Sequence, residues 1–160
     1  MKAARIALVA ALLCGGAALY AKPAPRPSAP SPQELVTTRQ AGMDMAAATL
    51  TLLKNASNNG APLKSLAFPA SGLAKFAGVM PALFADNTKG LPSRSRPSVW
   101  TDRAGFQAKA GEFAAATKAL AAAAAAEDKA AFDTALASVG ASCKGCHETY
   151  QVPPPAAKPG

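Results

Sequence analysis

The chain has 160 residues and a mass of 16.0 kDa, enough for one domain with a tail. Half of it is hydrophobic, much of that alanine, while aromatics make up 6% and charged residues 16%. That balance is too apolar for a disordered chain and too poor in β-branched and aromatic residues for a sandwich or barrel, so an all-α fold is expected. The net charge of +8 comes without a basic run, which argues against nucleic acid as a partner.

Residues 1–21 read as a signal peptide. Lys2 and Arg5 give a positive start, Ile6 to Leu13 form a short apolar core, and Gly15-Gly16-Ala17-Ala18 leads to cleavage after Ala21. Two alternatives stand beside cleavage: an uncleaved membrane anchor, for which the segment is short, and lipidation of Cys14, against which the bulky Leu13 stands. Loss of the segment removes Lys2 and Arg5 and lowers the charge from +8 to +6. Two cysteines then remain, and in an exported protein they should be bridged or bonded to something. Residues 22–30 read as a Pro-rich linker, 31–152 as the ordered domain and 153–160 as a Pro-rich tail.

The first helix has a clear start: Ser31 can cap, Pro32 suits the first helical position and Glu34 completes a capping box. Leu35, Arg39, Met43, Ala46, Leu50 and Leu53 then recur at steps of four and three, and Asn58-Asn59-Gly60 ends the helix. The second helix is interrupted by Pro69 and Pro81 and is expected from about Ala70 to Met80. Asp86 to Ser98 reads as a loop carrying Arg94 and Arg96. A third helix should start near Pro97 or Ser98, with Val99, Phe106, Phe113 and Leu120 spaced by seven. Its Ala121–Ala126 run is expected to be a helix end against a close-packed neighbour. After a turn and cap at Glu127-Asp128, a fourth helix carries Phe132, Leu136, Val139, Cys143, Cys146 and Tyr150 on one face. Four amphipathic helices with mostly short connections predict an antiparallel four-helix bundle.

Cys143-Lys144-Gly145-Cys146-His147 is the specific chemical signal. Cysteines at i and i+3 lie on one helical face, a spacing that suits thioether bonds to the two vinyl groups of a haem. His147 follows directly and can present a ring nitrogen to the iron as proximal ligand. A zinc site needs about four ligands, and a thioredoxin-like pair needs a βαβ setting; the mature chain offers neither. A plain disulfide between the two cysteines would leave the adjacent histidine unexplained. One covalently attached haem c is therefore predicted. His147 is the single histidine, so neither bis-histidine ligation nor a second haem can be built.

A motif of this kind near the C-terminus, on the last helix of a bundle, resembles the class II c-type cytochromes, the cytochrome c′ and cytochrome c-556 family. Arg39-Gln40-Ala41-Gly42-Met43, Arg96-Pro97-Ser98-Val99-Trp100 followed by Phe106, and Val139 through Tyr150 carry the resemblance, which runs from about Ser31 to Gln151. It implies a periplasmic four-helix bundle holding one haem, with Cys143 and Cys146 as attachment points and His147 as proximal ligand. Arg39 matches a basic residue near the haem propionates, and its place on the apolar seam calls for such an anionic partner. Met43 occupies the distal position, where a methionine sulfur closes the iron in low-spin relatives or merely fills space in others. Gas-binding relatives often carry arginine four residues after the histidine, where this chain has Gln151. The resemblance also implies a homodimer, for which no diagnostic patch is legible. Trp100, Phe106, Phe113, Phe132 and Tyr150 read as core.

These observations predict an electron carrier with Met43 as distal ligand, docking to acidic redox partners through its positive surface. The alternative is a five-coordinate cytochrome c′ that binds nitric oxide or carbon monoxide. An enzyme is not expected: a haem catalyst needs a distal acid–base group, the single histidine is committed, and Asp44 is expected about a quarter-turn off the seam.

Overall fold

The computed structural model describes residues 29–154. The signal peptide expected over 1–21 with Cys14, most of the linker over 22–30 and all but the first two residues of the tail over 153–160 lie outside them. Four long helices dominate: α1 (Pro32–Asn58), α2 (Leu63–Val79), α4 (Arg103–Ala126) and α5 (Lys129–Tyr150). A short helix, α3 (Ser98–Thr101), precedes α4, and two 3-10 turns, Met80–Leu83 and Asp86–Thr88, follow α2. No strand occurs among the described residues; the antiparallel four-helix bundle predicted from periodicity is the observed fold.

The start of α1 forms as its sequence dictates. Ser31 Oγ accepts from the Glu34 amide at 3.3 Å, and Glu34 Oε2 accepts from the Ser31 amide at 2.6 Å, closing the capping box. At the far end the chain turns through Gly60 at φ 75°, a left-handed conformation that glycine adopts without a side-chain penalty.

Two boundaries differ from expectation. Pro69 lies inside α2, which starts at Leu63 rather than near Ala70. Ser65, whose carbonyl Pro69 cannot satisfy, is an exposed residue, while buried Leu63, Leu66, Ala70, Leu73 and Ala77 hold the helix on the core. By length and composition Leu63–Leu83 could pass for a membrane span, but in the fold it supplies this buried seam. The expected third helix is split at Asp102, whose φ of −115° and ψ of 60° leave the helical region. Its carboxylate caps α4 by accepting from the Gly105 amide at 3.1 Å, and it also accepts from the Tyr150 hydroxyl at 2.7 Å.

The core is continuous. Leu53, Leu66, Leu73, Val99, Phe106, Phe113, Leu120, Phe132 and Val139 are all buried. The alanine run behaves as predicted: Ala123 and Ala124 are buried, and small side chains let neighbouring helices approach. The pairs α2–α4 and α4–α5 pack most extensively, whereas α1 has its neighbours in α2 and the two 3-10 turns. Gly42 leaves room beside α1 for the Phe76 ring of α2. A Cβ there would run into the Phe76 ring. Because α1 is not packed closely along α5, a cleft is left between them, and the Cys-Lys-Gly-Cys-His segment faces it.

Candidate haem site

Two adjoining cavities of about 360 and about 500 Å³ occupy the cleft. They share Met43, Asp44, Met80, Arg94, Cys146, His147 and Gln151 in their walls. The larger is mostly apolar, walled by Ala46, Leu50, Leu73, Phe113, Val139 and Cys143, with Thr51, Lys109 and Ser142 also in its wall. The smaller ends on Arg39, Ser93 and Ser95, beside Phe84, Phe106 and Tyr150. The site is thus a greasy slot with a cationic end.

Helix α5 brings Cys143, Cys146 and His147 together. Cys143 and Cys146 are one turn apart, half-buried and free, and both border the larger cavity with His147. Burial pushes both thiols above their usual range, so they are protonated at neutral pH, unlike the thiolate of a redox pair. His147, in the last turn of α5, lies below the usual imidazole range because of burial and then the nearby Arg94 charge. The neutral ring keeps a lone pair for a metal. No cluster of three His, Cys, Asp or Glu side chains that could hold a lone metal ion occurs among the described residues.

Arg39 sits where α1 meets the 3-10 turns. It is 2% exposed and donates to Leu83 O at 3.2 Å, Thr88 Oγ1 at 2.9 Å and Ser93 Oγ at 3.1 Å. The Phe84 ring centroid is 4.6 Å from its guanidinium carbon. Its acceptors are all neutral, and burial pulls its pKa below the ordinary arginine value. A buried cation bonded only to neutral oxygens, at the end of an apolar slot, fits one anionic edge of a flat apolar group. The remaining donors fit as well: two sulfurs for the vinyl groups and an imidazole for the iron. Slot, cation and CxxCH donors together match a haem c.

Met43 borders both cavities from α1, on the seam predicted for it. Trp100 is a half-buried residue at the bundle end, its Nε1 donating to Ala85 O at 3.2 Å. Phe106 packs between Phe84 and Tyr150 at centroid distances of 4.9 and 5.5 Å. Phe132 is buried but stands in neither wall. Two residues were not anticipated. Asp44, expected off the seam, borders both cavities, because the cleft is wide enough for the neighbouring helical position to reach it. Arg94 comes from the loop, with Nη2 on Gln151 Oε1 at 3.1 Å, so a cation does stand beside His147. No local pattern signals either; both depend on how separate elements pack.

A helix bundle whose last helix presents two cysteines and a histidine to an apolar cleft is the architecture of a class II c-type cytochrome, with one covalently bound haem c. The comparisons agree: the family model described as Cytochrome C' matches residues 34–151. The cytochrome c′ of Pararhodospirillum photometricum is 41% identical over 83 residues, 51% of this chain and 66% of that protein, so the chain spans just under two thirds of this relative. The cytochrome c′ of Alcaligenes xylosoxydans xylosoxydans is 31% identical over 122 residues, 75% of this chain and 94% of that one. The chain belongs to the cytochrome c′ family. Among solved structures, a ferrous variant of cytochrome c′ from Alcaligenes xylosoxidans with bound NO is 28% identical, with a TM-score of 0.70, covering 78% of this chain and 98% of that one. Another cytochrome c′, described by its ligand-controlled dimer dissociation, is 29% identical with a TM-score of 0.72, covering 79% of this chain and all of the other.

Proposed function

We propose that this protein is an exported, periplasmic cytochrome that binds a small uncharged gas, nitric oxide or carbon monoxide, on the face of the haem opposite His147. In this reading Cys143 and Cys146 carry the thioether bonds, His147 ligates the iron and Arg39 pairs with a propionate. The haem supplies an iron atom that accepts a diatomic ligand; the chain supplies the shape and polarity around it. The carrying observation is the larger cavity. Its wall is mostly apolar, with Ala46, Leu50, Leu73, Phe113 and Val139 beside the polar Asp44, Thr51, Arg94, Lys109, Ser142 and Gln151, and that apolar share favours a small uncharged ligand over a charged one. The related Alcaligenes structure with bound NO supports the same reading. Asp44 is the one carboxylate in the walls among the described residues, and it is exposed, which suits binding better than acid–base catalysis. A homodimer belongs to this reading, since homologues in the family form dimers.

One observation favours a second reading. Met43, on α1, borders the same cavity as His147, on α5, and its thioether is a competent iron ligand. Ligation by Met43 would close the site and make the protein an electron carrier for acidic partners. Optical spectra of the ferric and ferrous holoprotein separate the two. An open site gives a high-spin ferric form without a near-infrared sulfur-to-iron band. Its ferrous form binds carbon monoxide with an affinity that Met43→Ala changes by less than about threefold. A low-spin ferric form that becomes high-spin in Met43→Ala overturns gas binding in favour of electron transfer.

A further inference from the structure

The loop between the second 3-10 turn and α3 is fastened to the end of α5 by its main chain. Val152 N donates to Arg94 O at 2.7 Å, Arg96 N donates to Tyr150 O at 2.9 Å, and Ser95 and Gln151 form an isolated antiparallel bridge. Arg96 adds a bond from Nε to Gln151 O at 2.9 Å. With the loop already held, Arg94 turns its guanidinium to the same segment after α5. Its Nε donates to Val152 O at 2.9 Å and its Nη2 to Gln151 Oε1 at 3.1 Å. Both acceptors are neutral. The ion pairs among the described residues all use lysines, so the charge of Arg94 is left uncompensated by a carboxylate. Arg94 borders both cavities beside His147. Gln151 stands one turn beyond His147, its amide donating to His147 O at 3.1 Å. The Gln151 side chain therefore holds the guanidinium at the histidine end of the cleft.

We infer that Arg94, held by Gln151, fixes a positive charge on the His147 side of the haem and thereby sets the balance between ferrous and ferric iron. One electron taken up by the iron lowers the charge of the site by one, so a nearby cation stabilises the reduced form. At an effective dielectric between those of protein and water, a unit charge about 10 Å away changes the ferrous-to-ferric ratio roughly fivefold. For a one-electron couple, where tenfold is 59 mV, that is about 40 mV. The exposure of Arg94 makes the effect sensitive to salt. The inference rests on the haem site alone. It holds whether the sixth position is open or filled by Met43, so the spectra that decide between those readings leave it untouched.

The test is a spectroelectrochemical titration of the holoprotein at low and high ionic strength. Arg94→Gln should lower the ferrous-to-ferric ratio at a set potential roughly fivefold at low salt, with a smaller drop at high salt. Arg94→Lys keeps the charge but loses the fork that bonds Gln151 and Val152, and should stay within about twofold of the wild type. A wild-type ratio in Arg94→Gln overturns the inference. So does an equal shift in both variants, because the residue would then be only a fastening of the loop. Should Arg94→Gln fail to accumulate as holoprotein, Arg94→Met keeps the aliphatic stem and removes the charge. A fall in the ratio supports the inference and an unchanged ratio overturns it.

Discussion

Replacing Arg39 by methionine removes a guanidinium that is 2% exposed while keeping most of its volume. The wild-type side chain makes three hydrogen bonds, to Leu83 O, Thr88 Oγ1 and Ser93 Oγ, and a contact with the Phe84 ring. Bonds from a charged donor contribute about 1.5–3 kcal/mol each, and a desolvated cation–ring contact about 2 kcal/mol. Against this, burying the guanidinium costs several kcal/mol, which methionine does not incur. The acceptors are unequally affected. Thr88 Oγ1 still donates to Ala85 O at 2.7 Å, and Ser93 Oγ still accepts from Ser95 N at 3.3 Å, so Leu83 O is the group left short. The net loss should be about 2–4 kcal/mol, a fall in Tm of roughly 10 °C for a domain of this size. Thermal unfolding of the holoprotein followed by far-ultraviolet circular dichroism measures it. Arg39→Lys should lie between the two, since one ammonium cannot reach all three oxygens. A loss below about 0.5 kcal/mol for Arg39→Met, or a lysine variant as stable as the wild type, would refute the reasoning. A pH titration of the reduction potential indistinguishable from wild type would separately count against the propionate contact.

Gly42→Val should cost about 1–3 kcal/mol in urea unfolding, because the new side chain meets the Phe76 ring. Gly111→Ala, with open space around its Cβ, should instead stabilise α4 by roughly 0.5–1 kcal/mol. The bond to Asp102 pushes the Tyr150 hydroxyl up to about 12 from an ordinary 10.0. Its contribution to stability is therefore complete below about pH 10 and lost as pH rises through about 12. Tyr150→Phe should flatten that alkaline limb, and an unchanged limb would exclude the bond as its cause. Cys143→Ser should still retain haem on acid-acetone extraction through Cys146, whereas the double serine variant should release it.

Where a structural feature depends on a few adjacent residues, it was legible. The capping box at Ser31 and Glu34, the helix end at Asn58-Asn59-Gly60 and the cap at Asp128 each need only local bonds, and each formed. The same holds for the cysteines and histidine of α5, whose spacing alone puts them on neighbouring positions of a helix. Pro69 misled because local propensity there is outweighed by the seam from Leu63 to Ala77, which no proline rule takes into account. The break at Asp102 does have a local signal, an aspartate that can cap, but the regular spacing from Val99 to Leu120 conceals it. Tyr150, 48 residues away, is the second partner of that aspartate. Asp44 and Arg94 enter the site for a third kind of reason. One is admitted by the width of a cleft and the other is carried there by a loop paired with the chain end, and neither cause is written in the residue's own neighbourhood.

The unequal packing of the helices has a consequence for assembly. Helices α2, α4 and α5 share the larger contacts, while α1 rests on α2 and the two 3-10 turns across from the cysteines. Before the cofactor is in place, α1 is the helix with least to hold it and the first expected to swing open as a unit. Opening it would uncover the half-buried Cys143 and Cys146 from the side while the other three helices stay docked. Attachment could then proceed on a mostly folded chain, with the macrocycle itself becoming the surface on which the first helix closes.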